Sequence, residues 1–374
     1  MFPTNPYIVD TTLRDGEQAP GVVFSLDEKI GIAALLEKVG IPELEVGVPS
    51  MGKTEFEEVK TICNYGFDFK TTAWCRATIE DISIAAKTNA TAVNVSFPVS
   101  DVQLQAIGKD RNWVMKNMKE ILDFANDSFT YVAVGAQDAS RADKTFLFEF
   151  ADAVQGSGAH RIRIADTVGI LNPVSTEKLI SYVRACVPTL EIEFHPHNDL
   201  GMATANAISA YMAGANAVSC TVNGLGERAG NAALEEIILG LEKSLEYKTG
   251  YTIKHLTELS HYVEKASNRP LSMDKPITGR MILTHETGIH TRSILANNKA
   301  YELIDASEIG RQAEFVYGKF SGKASIQYLF EKKGIKLCNE GITKILQELK
   351  AISTLNKRSF SETEVLEMFI SAVR

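Results

Sequence analysis

Short β-rich runs alternate with amphipathic stretches through the first two-thirds of this chain, and no other feature restricts its folding so tightly. The runs are YIVD (7–10), PELEVGV (42–48), FKTTAWC (69–75), AVNVSFPV (92–99), TYVAVGA (130–136), RIRIAD (161–166), EIEFHPH (191–197) and AVSCTVN (217–223). Each precedes a stretch such as LDEKIGIAALLEKVG or MATANAISAYMAGA, where apolar residues recur at the three- and four-residue steps of a one-faced helix. Gly40 and Gly214 stand where such helices stop, as left-handed caps require. Strands alternating with helices pair in parallel through right-handed crossovers. Eight such units close into a (β/α)8 TIM barrel, an α/β fold. An open doubly wound sheet is the rival, but it normally follows its first strand with a glycine-rich turn. The turn here, TTLRDGEQAP, holds a single glycine, which favours the barrel.

The 374 residues exceed the roughly 250 that a barrel needs, and the pattern changes after Tyr247. One more helix is expected over 250–267, then an irregular stretch with two histidines, a Lys/Ser/Gly-rich segment (GKFSGKAS, 318–325), and helices near 340–352 and 362–373. This predicts a catalytic barrel over 1–265, an arm over 266–330 and a small helical subdomain over 331–374. Arms of this kind often exchange between subunits.

A net charge of −8 without a basic tract leaves no footprint for nucleic acid. No apolar run approaches the ~20 residues of a membrane span, and the first ten residues lack the pattern of a signal peptide. The five cysteines are scattered and never spaced CxxC, so reduced, mostly buried thiols in a cytoplasmic protein are expected.

In a barrel, residues at the C-terminal strand ends converge on one face. Arg14, Asp15, Glu17 and Gln18 fall there after the first strand, Arg76 after the third, Gln137 and Asp138 after the fifth, and Arg163, Asp166 and Thr167 on or after the sixth. The seventh ends in FHPHND, and the eighth leads into NGLGERAGN. Residues i and i+2 of a strand share a face, so His195 and His197 can both point into the mouth. Two imidazoles near a carboxylate suit a divalent cation such as Mg, Mn or Zn; two strand-end histidines with ordinary hydrogen bonds are the alternative. Asp15 can supply the carboxylate and Asn231 a neutral oxygen, leaving open positions as a Lewis-acid site requires. Arg14 then suits stabilisation of a developing enolate or alkoxide, a structural salt bridge being the alternative. NGLGERAGN is a weak nucleotide motif, lacking both GxxG and a Walker lysine. THETGIH places its histidines at i and i+5 with Gly288 between, which rules out a zinc-protease helix. A histidine on such an arm is instead a candidate general acid or base.

Together DTTLRDGEQ, ADTVG, HPHND-G, NGLGERAGNAALEE and HETGIH, in this order over nearly the whole chain, resemble the acetyl-CoA-dependent condensing enzymes of the metallolyase barrel superfamily, the isopropylmalate, citramalate and homocitrate synthases. PELEVGVPSMG, AWCR, PVSD and DASRAD look most like homocitrate synthases of the nitrogen-fixation type. The resemblance implies an acyltransferase that joins acetyl-CoA to a 2-oxo acid, 2-oxoglutarate first among the candidates, and no long C-terminal regulatory domain. It implies metal ligation by Asp15, His195 and His197, with Asn231 close by. It has Arg14 polarise the 2-oxo acid, Gln18 line the pocket and Thr167 hold the carboxylate. His290 and Tyr301 match an acid/base pair donated by a partner subunit's arm, which implies a homodimer. Arg76 is our positional candidate for a distal carboxylate. The chain departs from the pattern at Gln137, where a glutamate of the proton-transfer machinery is usual. It also lacks a histidine in VSDVQLQAIGKD, has Phe320 for a histidine in GKFSGKAS, and reads GIHTRS for GIH-x-DG.

Overall fold

Every expected strand pairs in the structure, a computed structural model that describes residues 6–373. β1 (Tyr7–Asp10), β2 (Glu43–Gly47), β3 (Lys70–Arg76), β4 (Ala92–Pro98), β5 (Tyr131–Gln137), β6 (Arg161–Asp166), β7 (Glu191–Pro196) and β8 (Ala217–Cys220) form a closed barrel in chain order. All pairs are parallel, and β8 returns to β1 through Tyr7–Ala217 and Asp10–Cys220. The open-sheet alternative is thereby excluded.

Helices follow the strands as the periodicity predicts: α1 (Leu26–Val39), α2 (Lys53–Cys63), α3 (Ile79–Ala85), α4 (Asp101–Ala106) and α5 (Arg111–Ser128), then α6 (Lys144–Gly156), α7 (Pro173–Cys186), α8 (Ala203–Met212), α9 (Leu234–Ser244) and α10 (Leu256–Ala266). Local chemistry sets their ends. Ser25 and Glu28 form a capping box on α1, and Gly40, at φ 89°, donates to Leu36 and Glu37 where that helix stops.

The alternation within each strand divides the barrel wall into two chemistries. Val93, Val95, Val132, Val134, Ile162, Ile164, Ile192 and Phe194 are fully buried against the surrounding helices. The inward faces are polar, where barrels are usually filled by branched aliphatic residues. Glu43 and Glu45 on β2, Arg161 and Arg163 on β6, and Glu193 on β7 form a ladder of buried ion pairs. Arg161 Nη2 lies 2.6 Å from Glu43 and Nε 2.9 Å from Glu193. Arg163 Nη1 lies 2.7 Å from Glu45 and Nε 2.7 Å from Glu193. Burial opposes ionisation of Glu43, but Arg161 prevails and holds its carboxyl down at about 2.

The chain divides into two compact units, Met1–Leu271 and Ser272–Arg374. The second contains β9 (Thr284–His285), α11 (Gly288–Ala296), β10 (Glu314–Phe315), α12 (Lys323–Glu331), α13 (Asn339–Asn356) and α14 (Glu362–Val373). Tyr317, Ile326, Leu329, Phe330, Ile345, Leu349 and Val365 form its core. His285 ends β9 and His290 sits within α11, so the two histidines occupy different elements. All five cysteines are free, but only Cys75 and Cys220 are buried, and Cys338 is exposed. The expectation of mostly buried thiols is corrected to that extent: Cys338 caps the start of α13, where helix ends meet solvent. Among the described residues no helix is long and apolar enough to cross a membrane.

Candidate metal and acceptor site

DTTLRDG folds into a tight wide-helix turn over Thr12–Gly16, fixed by its own polar side chains. Asp10 accepts from the Thr12 N–H at 2.9 Å, and Thr12 Oγ1 accepts from the Val222 N–H at 2.9 Å. These bonds tie the end of β1 to the exit of β8. Glu17 faces away from the chemistry: it lies 2.8 Å from the buried Lys29 and accepts from the Phe24 N–H at 2.9 Å. Lys29 also pairs with Glu55 and Glu58, which anchors the loop carrying Arg14 and Asp15.

Asp15, His195 and His197 converge in the barrel mouth, with one donor atom from each within 4.8 Å of the others. His195 Nε2 lies 2.9 Å from Asp15 Oδ2, and His197 Nε2 lies 3.8 Å from the same oxygen. Donors sharing one cation at ~2.1 Å each stand about 3–4 Å apart, so this spacing fits. The donor set fits as well. Among the described residues, Asn231 Oδ1 is buried without a hydrogen-bond partner, while its Nδ2 donates to Leu225 O at 3.0 Å. A backbone bridge joins Asn231 to His197. Gly226 permits this approach, since a Cβ there would stand 2.3 Å from Asn231 Nδ2. Burial and the neighbouring His195 hold the His197 imidazole at about 4, neutral and able to donate a lone pair. Burial would raise the Asp15 carboxyl, but Arg14 and the two imidazoles hold it well below the usual range.

A cavity of about 340 Å³ opens beside this triad. Arg14 and Gln18 line it from the first loop, Gln137 from β5, and Thr167 beyond β6. Arg14 Nη1 lies 3.3 Å from Asp15, its Nε 3.3 Å from Glu45, and its guanidinium 5.9 Å from the Trp74 ring centre. Thr167 Oγ1 accepts from the Asp138 N–H at 2.8 Å, leaving its own proton to donate. Arg228, in the loop after β8, donates to Asp199 at 2.7 Å and to Thr167 O at 2.7 Å, tying three loops together at the rim.

Arg76 is not among the cavity-lining residues. The backbone turns at the end of β3, and Asp81 in the first turn of α3 takes Arg76 Nε at 2.9 Å and Nη2 at 2.8 Å. The Arg76 side chain is left 66% exposed, in a bidentate pair outside the cavity. Conversely, Trp74, Asn94, Ser96, Gly135 and Ala165 line the cavity without having stood out in the sequence. Their signal was parity: Asn94 and Ser96 alternate with Val93 and Val95, as Arg163 and Ala165 alternate with Ile162 and Ile164. In the second unit the His290 and Tyr301 rings stack with centroids 4.0 Å apart and planes 26° apart.

Fold and site define the class, a TIM-barrel enzyme with a triad at its mouth whose spacing could hold a cation. The HMGL-like family model matches residues 5–263, and the model described as homocitrate synthase post-HMGL domain-like matches residues 277–357. The chain is 42% identical to 2-isopropylmalate synthase 2 of Caldanaerobacter subterraneus subsp. tengcongensis, over 97% of this chain and 94% of that one. It is 41% identical to homocitrate synthase 1 of a Nostoc species, over 96% of each. A hydroxymethylglutaryl-CoA lyase from Pseudomonas aeruginosa shares the fold at TM-score 0.63 and 22% identity, covering 71% of this chain and 93% of that one. The chain belongs to the HMGL-like family, within its isopropylmalate, homocitrate and citramalate synthase group, and is an acyltransferase-type condensing enzyme.

Proposed function

We propose that this enzyme condenses acetyl-CoA with 2-oxoglutarate, giving (R)-homocitrate and free CoA. One observation supports the reading above the rest: Arg14 stands beside the Asp15–His195–His197 triad, at a cavity whose wall carries amide, hydroxyl and guanidinium groups. Two relatives of nearly equal identity bear the names of different synthases, so overall identity does not choose the acceptor. The polar wall favours a polar acceptor end, because a branched alkyl end would bury those groups unpaired.

A divalent cation (Mg, Mn or Zn) held by Asp15, His195 and His197, with Asn231 Oδ1 beside them, would supply Lewis-acid polarisation of the ketone. Arg14 donates to the same oxygen as it gains charge, which is where a fixed guanidinium acts most strongly. Thr167 donates its free hydroxyl proton to the acid's C1 carboxylate, and Gln18 lines that end. The stacked His290 and Tyr301 act as the acid/base pair: one removes a proton from the acetyl methyl group, the new C–C bond forms at the ketone carbon as the C=O π pair moves onto oxygen, the other protonates that oxygen, and water then cleaves the thioester to a carboxylate and free CoA thiol. This reading has the pair come from the arm of a second copy, in a cytoplasmic homodimer. Gln137 orients by hydrogen bonding and exchanges no proton.

Gln137 also favours a second reading, a metal-binding paralogue with little turnover, since a lost acid/base group typically costs 10²–10⁴-fold. A thiol-release assay with 2-oxoglutarate, oxaloacetate, pyruvate and 2-oxoisovalerate separates the readings. The highest kcat/KM is expected with 2-oxoglutarate. Preference for pyruvate or 2-oxoisovalerate would refute that acceptor, and no release with any of them would favour the paralogue.

A further inference from the structure

β5 has no side chain at Gly135, and the cavity reaches the barrel wall there. Gly135 pairs with Ser96 of β4 on one side and Arg163 of β6 on the other. A Cβ on Gly135 would lie 3.1 Å from Ser96 Oγ and 3.3 Å from Ser96 Cα, so the glycine lets Ser96 pack close against β5 while its bare backbone lines the cavity. Two polar residues that line the cavity beside Gly135 have bonding capacity unspent. Asn94 is fully buried, and among the described residues neither its Nδ2 nor its Oδ1 has a hydrogen-bond partner. Arg163 is 3% exposed and held on two sides, Nη1 by Glu45 and Nε by Glu193. Its Nη2 is buried without a hydrogen-bond partner.

A buried amide or guanidinium N–H without a partner is strongly destabilising. Here both residues line a cavity rather than a packed core, which is how a site awaiting a ligand differs from a packing fault. Arg163 cannot swing away, because its two carboxylate contacts fix the guanidinium plane. Its Nη2 offers two desolvated, positively charged N–H donors, and the matching ligand group is an acceptor-only anion.

We propose that Asn94 and Arg163 read the acceptor's far carboxylate, seated where the cavity meets the bare backbone of Gly135. This makes them the specificity-determining residues, in place of Arg76. The proposal rests on the 2-oxo acid reading above and names the part of the site that selects a dicarboxylate.

The test is calorimetric binding to the full-length protein in Mn²⁺-containing buffer, with no acetyl-CoA present. The probes are 2-oxoglutarate, pyruvate and 5-hydroxy-2-oxopentanoate, which replaces the far carboxylate with a neutral hydroxymethyl end. The wild type is expected to prefer 2-oxoglutarate to both by about 10- to 100-fold, the range of one charge-assisted bond. In Asn94→Asp, which sets a carboxylate against the ligand's own, that preference should vanish. In the milder Gly135→Ala, whose methyl would press on Ser96 at the cavity wall, it should shrink at least about fivefold. Equal wild-type affinity for all three probes, tighter binding of the hydroxy acid, or preference unchanged in both variants would each overturn the proposal. Thiol release is scored separately: selective binding without CoA release leaves this assignment standing and removes the condensing reading.

Discussion

His195 Nε2 stands 2.9 Å from Asp15 Oδ2, although one residue lies on β7 and the other follows β1. The barrel's closure makes this meeting possible, because β1 and β7 flank β8. His195→Ala and His197→Ala should each lower bound divalent metal at least about tenfold by elemental analysis, ligand loss being no milder than loss of an outer partner. Stoichiometric metal in the double variant would refute the assignment.

Lys29 is buried among Glu17, Glu55 and Glu58, at 2.8, 3.2 and 2.7 Å. Removing its charge leaves three partly buried carboxylates facing each other. Lys29→Met should lower unfolding free energy by about 3–5 kcal/mol in urea melts. Turnover should fall too, because Glu17 anchors the loop bearing Arg14 and Asp15.

Asp10 sets a pH dependence of stability. Burial raises its carboxyl to about 7, against the Thr12 N–H bond that lowers it. The folded state therefore binds this proton more tightly than the unfolded chain, so its contribution is complete below about pH 4 and lost as pH rises to about 7. Asp10→Asn keeps an acceptor for Thr12 and abolishes the titration. Urea midpoints of the variant should vary less than those of the wild type across this window, and parallel curves would contradict the assignment.

Gln137 lines the cavity and cannot ionise. Gln137→Glu should add an acidic limb to the kcat–pH profile and raise turnover by about 10-fold or more if a missing base limits the rate, general bases contributing 10²–10⁴-fold. A profile identical to the wild type would show that this position takes no part in proton transfer.

Much of the barrel was legible because its signals are local. Each strand and helix announces itself through its own period, and a turn with one glycine spoke against the open sheet. His195 and His197 were legible for the same reason, being two residues apart on one strand. The misplacement of Arg76 has the opposite cause. Its orientation depends on Asp81, which becomes a partner only once α3 forms and turns that carboxylate back. Asn94 was missed because a lone amide among valines gives no sign of lacking a partner until the neighbouring strands are in place.

The buried ladder of Glu43, Glu45, Arg161, Arg163 and Glu193 also works as a code for assembly. Sliding β6 by one position would turn both guanidiniums toward the aliphatic helix layer, bring Ile162 and Ile164 inside, and strand Glu193 without counter-charge, while Glu43 and Glu45 would keep only Lys70 and Arg14. A wall of interchangeable valines would tolerate such a slip far more cheaply. The pairing of Glu43 and Glu45 with Arg161 and Arg163, and of both guanidiniums with Glu193, thus lets three strands check one another's alignment across the interior, so that the mouth residues are assembled only when the whole barrel is in phase.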